Sequence, residues 1–175
     1  MRRIGRVGRR LLFLAALLSG PASAHLQCVP YARAVSGIAI HGDAATWWGK
    51  AAHRYDRGET PEVGAVLAFR PTAAMPRGHV AVVAAIVDDR HIRLNHANWS
   101  RPGMVERAAL AEDVSEAGDW SEVRIWYAPS RALGSRTNPT FGFIYAGDES
   151  MALAAGDADG ADRAEDAASA RDAAG

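Results

Sequence analysis

Residues 79–87, His79-Val80-Ala81-Val82-Val83-Ala84-Ala85-Ile86-Val87, form an apolar run that no glycine, proline or charge interrupts. Val80, Val82, Val83, Ile86 and Val87 are β-branched, so this is the strongest strand signal in the chain. Asp88-Asp89 suits a tight turn, and residues 91–95 return as the antiparallel partner. Residues 63–69 read as a second buried strand, and residues 122–127 as another, closed by Pro129. Residues 138–145 form either a last strand or an extended arm that covers one edge. Ahead of these strands, Pro30 suits the first turn of a helix that ends at Gly37. Asp43 to Thr46 begins a second helix, carried by Trp47, Trp48, Ala51 and Ala52 to about His53. One or two helices followed by an antiparallel sheet is the α+β pattern.

The flanks differ in character from this body. Residues 1–24 carry five arginines, a short apolar stretch, Gly20-Pro21 and the small-residue run Ala22-Ser23-Ala24, the pattern of a secretory leader. The apolar stretch is well short of the roughly 20 residues that span a bilayer, so no membrane span is expected after processing. Residues 147–175 hold eight acidic and two basic residues among alanines and glycines, and too little branched or aromatic side chain to bury. That composition predicts a disordered acidic tail. Residues 25–146 form the one domain, net +1 with histidines neutral. So neutral a body gives no electrostatic reason to bind nucleic acid.

Cys28 is the only cysteine. In an exported chain a single thiol is a bystander, an intermolecular bridge or a reactive group. Its place at a helix N-terminus, where the dipole favours thiolate, predicts a nucleophile. Nucleophilic thiols need a base and a group that orients the base. His79 opens the long strand directly after Gly78, and the hairpin places it near the partner segment Asn95-His96-Ala97-Asn98-Trp99. His96 and Asn98 share a face by period-2 alternation, so either can orient His79 or bind substrate. Zinc on Cys28, His79 and His96 fits the ligand types but lacks close-spaced ligand pairs. Trp99 walls the site or packs in the core, and one of Trp47 and Trp48 belongs to the core.

Taken in order, the blocks Gln27-Cys28-Val29-Pro30-Tyr31-Ala32-Arg33, Pro61-Glu62-Val63-Gly64-Ala65-Val66-Leu67, Gly78-His79-Val80-Ala81-Val82-Val83 and His96-Ala97-Asn98-Trp99 resemble the CHAP family, the cysteine, histidine-dependent amidohydrolase/peptidase domain. The resemblance spans roughly residues 27–127. It implies a papain-like α+β fold, N-terminal helices packed on an antiparallel sheet, and cleavage of amide or peptide bonds, most often in peptidoglycan. Cys28 takes the nucleophile's place and His79 that of the general base. His96 stands where the family usually has a carboxylate or amide, and Asn98 takes the next polar place. Gln27 and Trp99 are expected at the substrate.

The expectation is an exported, monomeric cysteine hydrolase without a cofactor, periplasmic or secreted. It would be an N-acetylmuramoyl-L-alanine amidase or a peptidoglycan endopeptidase. An amidase for a small amide conjugate and a catalytically silent envelope-binding module are the alternatives.

Overall fold

The computed structural model describes residues 27–147; the expected leader (1–24) and, beyond its first residue, the expected acidic tail (147–175) lie outside them. In chain order it has helix α1 (Cys28–Ser36), a 3₁₀ turn (Ala44–Thr46), helix α2 (Trp47–Ala51) and eight strands. The strands are β1 (Arg57–Gly58), β2 (Val66–Phe69), β3 (His79–Asp88), β4 (His91–Ala97), β5 (Val105–Asp113), β6 (Glu122–Tyr127), β7 (Ala132–Leu133) and β8 (Asn138–Ile144).

The sheet closes on itself. Antiparallel pairing runs β8-β2-β3-β4-β5-β6, and β6 pairs with β8 again through Glu122↔Pro139 and Val123↔Asn138. The two-residue strands β1 and β7 pair with β8 and β6. The α+β, papain-like expectation is therefore corrected: the described residues are mostly β, a closed six-stranded antiparallel barrel with two short helices. Three local causes account for the difference. The second helix begins as a 3₁₀ turn and stops at Ala51, because Ala52 turns extended (φ −52°, ψ 133°) and His53 takes a left-handed φ of 63°. Strand β5 was not legible as a strand at all. Residues 138–144 are neither arm nor edge cover; they are the strand that joins the two sheet ends.

Period-2 alternation then sorts side chains into two layers. Leu67, Phe69, Ala81, Val83, Leu94, Ile125 and Phe143 fill the barrel. Their neighbours Val66, Ala68, Val80, Val82 and Ile144 face outward, beneath Ala32 of α1, Ile38, Ile40 and Trp47. Both faces of β2 and of the first half of β3 are thus covered, which explains their unbroken apolar sequences. The far end of β3 runs out of this cover and leaves Ile86 and Val87 exposed.

Helix α1 stops where the sequence provides for it. Gly37 takes φ 71°, and its N–H donates to the Arg33 carbonyl at 3.1 Å, an αL cap that a β-carbon would strain. Ser36, buried at the last turn, donates its hydroxyl to the Ala32 carbonyl at 2.7 Å. The helix lies on the outer face of β3 and β4, which brings its N-terminus to the mouth of the barrel.

Closure makes the interior sensitive to lost volume. Phe143→Ala, at a fully buried position on β8, is expected to lower unfolding free energy by about 3–5 kcal/mol. Val87→Ala, at a position 52% exposed, is expected to stay within about 0.5 kcal/mol. Denaturant titration of both variants checks the contrast, and equal losses would contradict the layering.

Candidate active site at the barrel mouth

One cleft of about 640 Å³ opens where α1 meets the start of β3, and Gln27, Cys28, His79, Asn98 and Trp99 all line it. Cys28 reaches it from outside the barrel, as the first residue of α1. His79 reaches it from within, as the first residue of β3 on the inward-facing register of Ala81 and Val83. Gly78 makes this approach possible. It takes φ 66°, and a β-carbon there would come within 2.8 Å of the Ala45 backbone nitrogen and 3.1 Å of the Phe69 carbonyl. Only glycine lets the strand start so close beneath the 3₁₀ turn.

The His79 ring is only 3% exposed and is held on several sides. Phe69 meets it edge-on at 5.3 Å between centroids, and Trp99 lies 4.9 Å away. Its Nε2 is 3.1 Å from Nδ1 of His96, which is itself fully buried on β4. The pair crosses from β3 to β4, as the hairpin predicts. With Nε2 engaged, Nδ1 is the remaining ring nitrogen of His79.

Asn98 does something else. It adopts φ 63°, a left-handed conformation asparagine tolerates, and its Oδ1 accepts the Gly103 N–H at 2.9 Å. Its Nδ2 donates to Oε1 of Gln27 at 2.9 Å. The structure therefore joins His96 to His79 and Asn98 to Gln27, dividing between two residues what alternation alone left open. Trp99 touches His79, His96 and Phe69. Trp47 is core, and Trp48 stacks on Phe141 at 5.8 Å; neither lines the cleft. Among the described residues no cluster of three His, Cys, Asp or Glu side chains is arranged to hold a metal ion.

Charge at the site differs from the helix-dipole expectation. Burial pushes the Cys28 thiol up, against the opposing pull of backbone N–H groups from Val80, Val29 and Cys28 itself. Burial, with the neighbouring His96, holds His79 well below the usual imidazole range. Burial alone brings His96 down to about 4. Both directions favour a neutral thiol beside neutral imidazoles in the resting cleft. A nine-residue helix contributes only a partial charge, and removing the groups from water outweighs it.

Geometry of this kind supports a thiol, a base and an orienting partner around a space large enough for substrate. Residues 19–98 match the CHAP domain. This is the family whose blocks the sequence resembles. A CHAP domain is of the amidase and peptidase kind, which supports a hydrolase at that coarse level, and the family is associated with peptidoglycan. No curated protein matches the chain. The matched segment runs through β4 to Asn98 and stops before β5. Among the described residues, no helix is long and apolar enough to cross a membrane.

Residues beyond the sequence candidates also shape the cleft. Arg77 and Arg136 bring guanidinium groups to its rim, and Ile125 and Tyr127 come from β6. Behind His96, its Nε2 lies 3.6 Å from Oε2 of Glu106 on β5. No periodic signal marks these positions: Glu106 stands opposite His96 in the β4–β5 pairing, and the others come from separate segments of the chain.

The lowered imidazoles carry a stability consequence. Unfolded histidines bind protons near pH 6.5, whereas folded His96 does not until about pH 4. The unfolded state therefore takes up more protons in this window, and stability falls as pH drops from 6.5 towards 4. Between pH 6.5 and 5 the expected loss from His96 is about 1.6 kcal/mol, and His79 acts in the same direction. Urea titrations at the two pH values check this, and His96→Asn should reduce the difference. An unchanged difference in that variant would contradict the assignment to His96.

Proposed function

We propose that the chain is an exported cysteine amidohydrolase or endopeptidase that cleaves amide or peptide bonds of peptidoglycan, working in the periplasm or outside the cell. The observation that carries this reading is the shared cleft of Cys28 and His79. Substrate entering it displaces water and brings a carbonyl to the sulfur. His79, through Nδ1, takes the thiol proton as sulfur attacks, so the ion pair forms during reaction rather than at rest. The tetrahedral oxyanion meets the Cys28 backbone N–H and the side-chain amide of Gln27, which Asn98 holds by its oxygen. The His79 imidazolium returns the proton to the leaving amine, leaving an acyl-thioester. Water, deprotonated by the same imidazole, then hydrolyses the ester and restores the thiol.

Arg77 and Arg136 fit this substrate class, since carboxylates of a peptide stem would find two guanidinium groups at the rim. Trp99 closes the inner wall and keeps water from the His79 ring.

Digestion of purified sacculi by residues 25–175, with mass analysis of released fragments, tests the reading. The wild type is expected to release fragments whose masses name the severed bond, and Cys28→Ala to be slower by about a thousandfold or more. Turnover of soluble amides without release from sacculi would mean a small-conjugate amidase. Co-sedimentation with sacculi and no release would mean a silent binding module. Either outcome overturns the reading.

A further inference from the structure

Glu106 on β5 lies outside the segment that matches the CHAP domain, and it is buried at 9% exposure. Both of its oxygens are engaged by one residue. Ser100 donates its hydroxyl to Oε1 at 2.7 Å and its backbone N–H to Oε2 at 3.1 Å. The Ser100 hydroxyl oxygen in turn accepts the Ala128 N–H at 3.0 Å, which ties the arrangement to the segment after β6. On the other side of Glu106, Arg93 and Arg107 line a shallow hollow, but neither forms an ion pair with it among the described residues.

The oxygen that faces inward, Oε2, stands 3.6 Å from Nε2 of His96. That nitrogen is fully buried and has no hydrogen-bond partner among the described residues. A lone pair on Nε2 would point at the carboxylate and be repelled; an N–H would be attracted. The proton of neutral His96 thus belongs on Nε2, which leaves Nδ1 as an acceptor. Nδ1 is the atom 3.1 Å from His79 Nε2, so that nitrogen must be the donor. The remaining nitrogen of His79, Nδ1, then carries the lone pair. Each step follows from a neutral imidazole having one donor and one acceptor.

We propose that Glu106 is a positioning residue: its carboxylate sets the tautomer of His96, and through it that of His79, so that Nδ1 of His79 is the base that faces Cys28. When the thiol proton moves to His79, the same carboxylate stabilises the imidazolium through His96. The separation of 3.6 Å is long for a hydrogen bond, and bonds of this kind tighten once substrate is bound. The other titratable or charged groups lining the cleft are Cys28 from α1, Asp43 before the 3₁₀ turn, Arg77, Tyr127 and Arg136. Glu106 is the one carboxylate behind the imidazoles in the described residues. Histidine in the place the family usually gives to a carboxylate or amide thereby moves the negative charge one residue further back.

The consequence for turnover rests on the hydrolase reading; the tautomer does not. Nitrogen-15 NMR of the histidine-labelled wild-type chain reads the tautomers without any substitution. The expected result is an Nε2–H tautomer for both His96 and His79. An Nδ1–H tautomer for His96 overturns the proposal. On the released-fragment assay, Glu106→Gln keeps the shape and an acceptor but removes the charge. Its kcat is expected to fall about tenfold or more with KM within twofold, and a kcat within twofold of wild type overturns the proposal. Should the wild type turn over nothing, the hydrolase reading fails while the NMR result still decides this one. Should Glu106→Gln fail to fold, the wild-type spectrum decides.

Discussion

A six-stranded barrel has an interior just wide enough for side chains, and an imidazole on an inward-facing position there has no water to bond. His79 occupies such a position at the first residue of β3. Much of the surrounding architecture follows from satisfying it. His96 comes alongside as its hydrogen-bond partner on β4, at the barrel mouth. His96 is buried in turn, and its outer nitrogen looks towards the Glu106 carboxylate on β5. The chain of polar groups thus runs across three adjacent strands and ends in Ser100 and the Ala128 backbone. A histidine at this place without those partners would cost the barrel the full penalty of an unpaired buried group.

Cys28 meets this network from the opposite side of the sheet wall. Helix α1 covers the outward residues Val80 and Val82, so the thiol sits above the rim that His79 sits below. Only at the first residue of β3, where Gly78 brings the strand in under the 3₁₀ turn, do the two sides share a cleft. Burial leaves both groups neutral at rest, because charging either one means removing an ion from water. In the proposed reaction, a resting neutral pair yields its thiolate only as a substrate carbonyl arrives to receive it. The buried carboxylate behind His96 lies where it compensates the charge that then appears on the imidazoles.

The parts legible in the sequence are those whose signal is local. The helix from Cys28 to Ser36 ends at a glycine that announces its own cap. The run from His79 onward is apolar because both its faces are covered, and its hairpin partner follows a two-residue turn. Cys28, His79 and His96 were legible from strand and helix starts and from the ordered blocks. Strand β5 was not. Val105-Glu106-Arg107-Ala108-Ala109-Leu110-Ala111-Glu112-Asp113 is rich in alanine and charge, with weak strand propensity, and its strand form comes from pairing with β4 and β6. Missing β5 hid both barrel closure and Glu106. The helix-dipole argument for a resting thiolate failed for a related reason: it is local, whereas burial of Cys28 depends on the whole fold. The expected leader and nearly all of the expected acidic tail lie outside the described residues.

The most direct test of the account is the rate at which iodoacetamide alkylates Cys28 between pH 5 and 10, in the wild type and in His79→Ala. If His79 serves as base to the thiol, the wild type reacts at least about tenfold faster near neutral pH, and the two rates converge once hydroxide alone deprotonates the sulfur. Rates that coincide across the whole range would show that the two side chains share a cleft without sharing a proton.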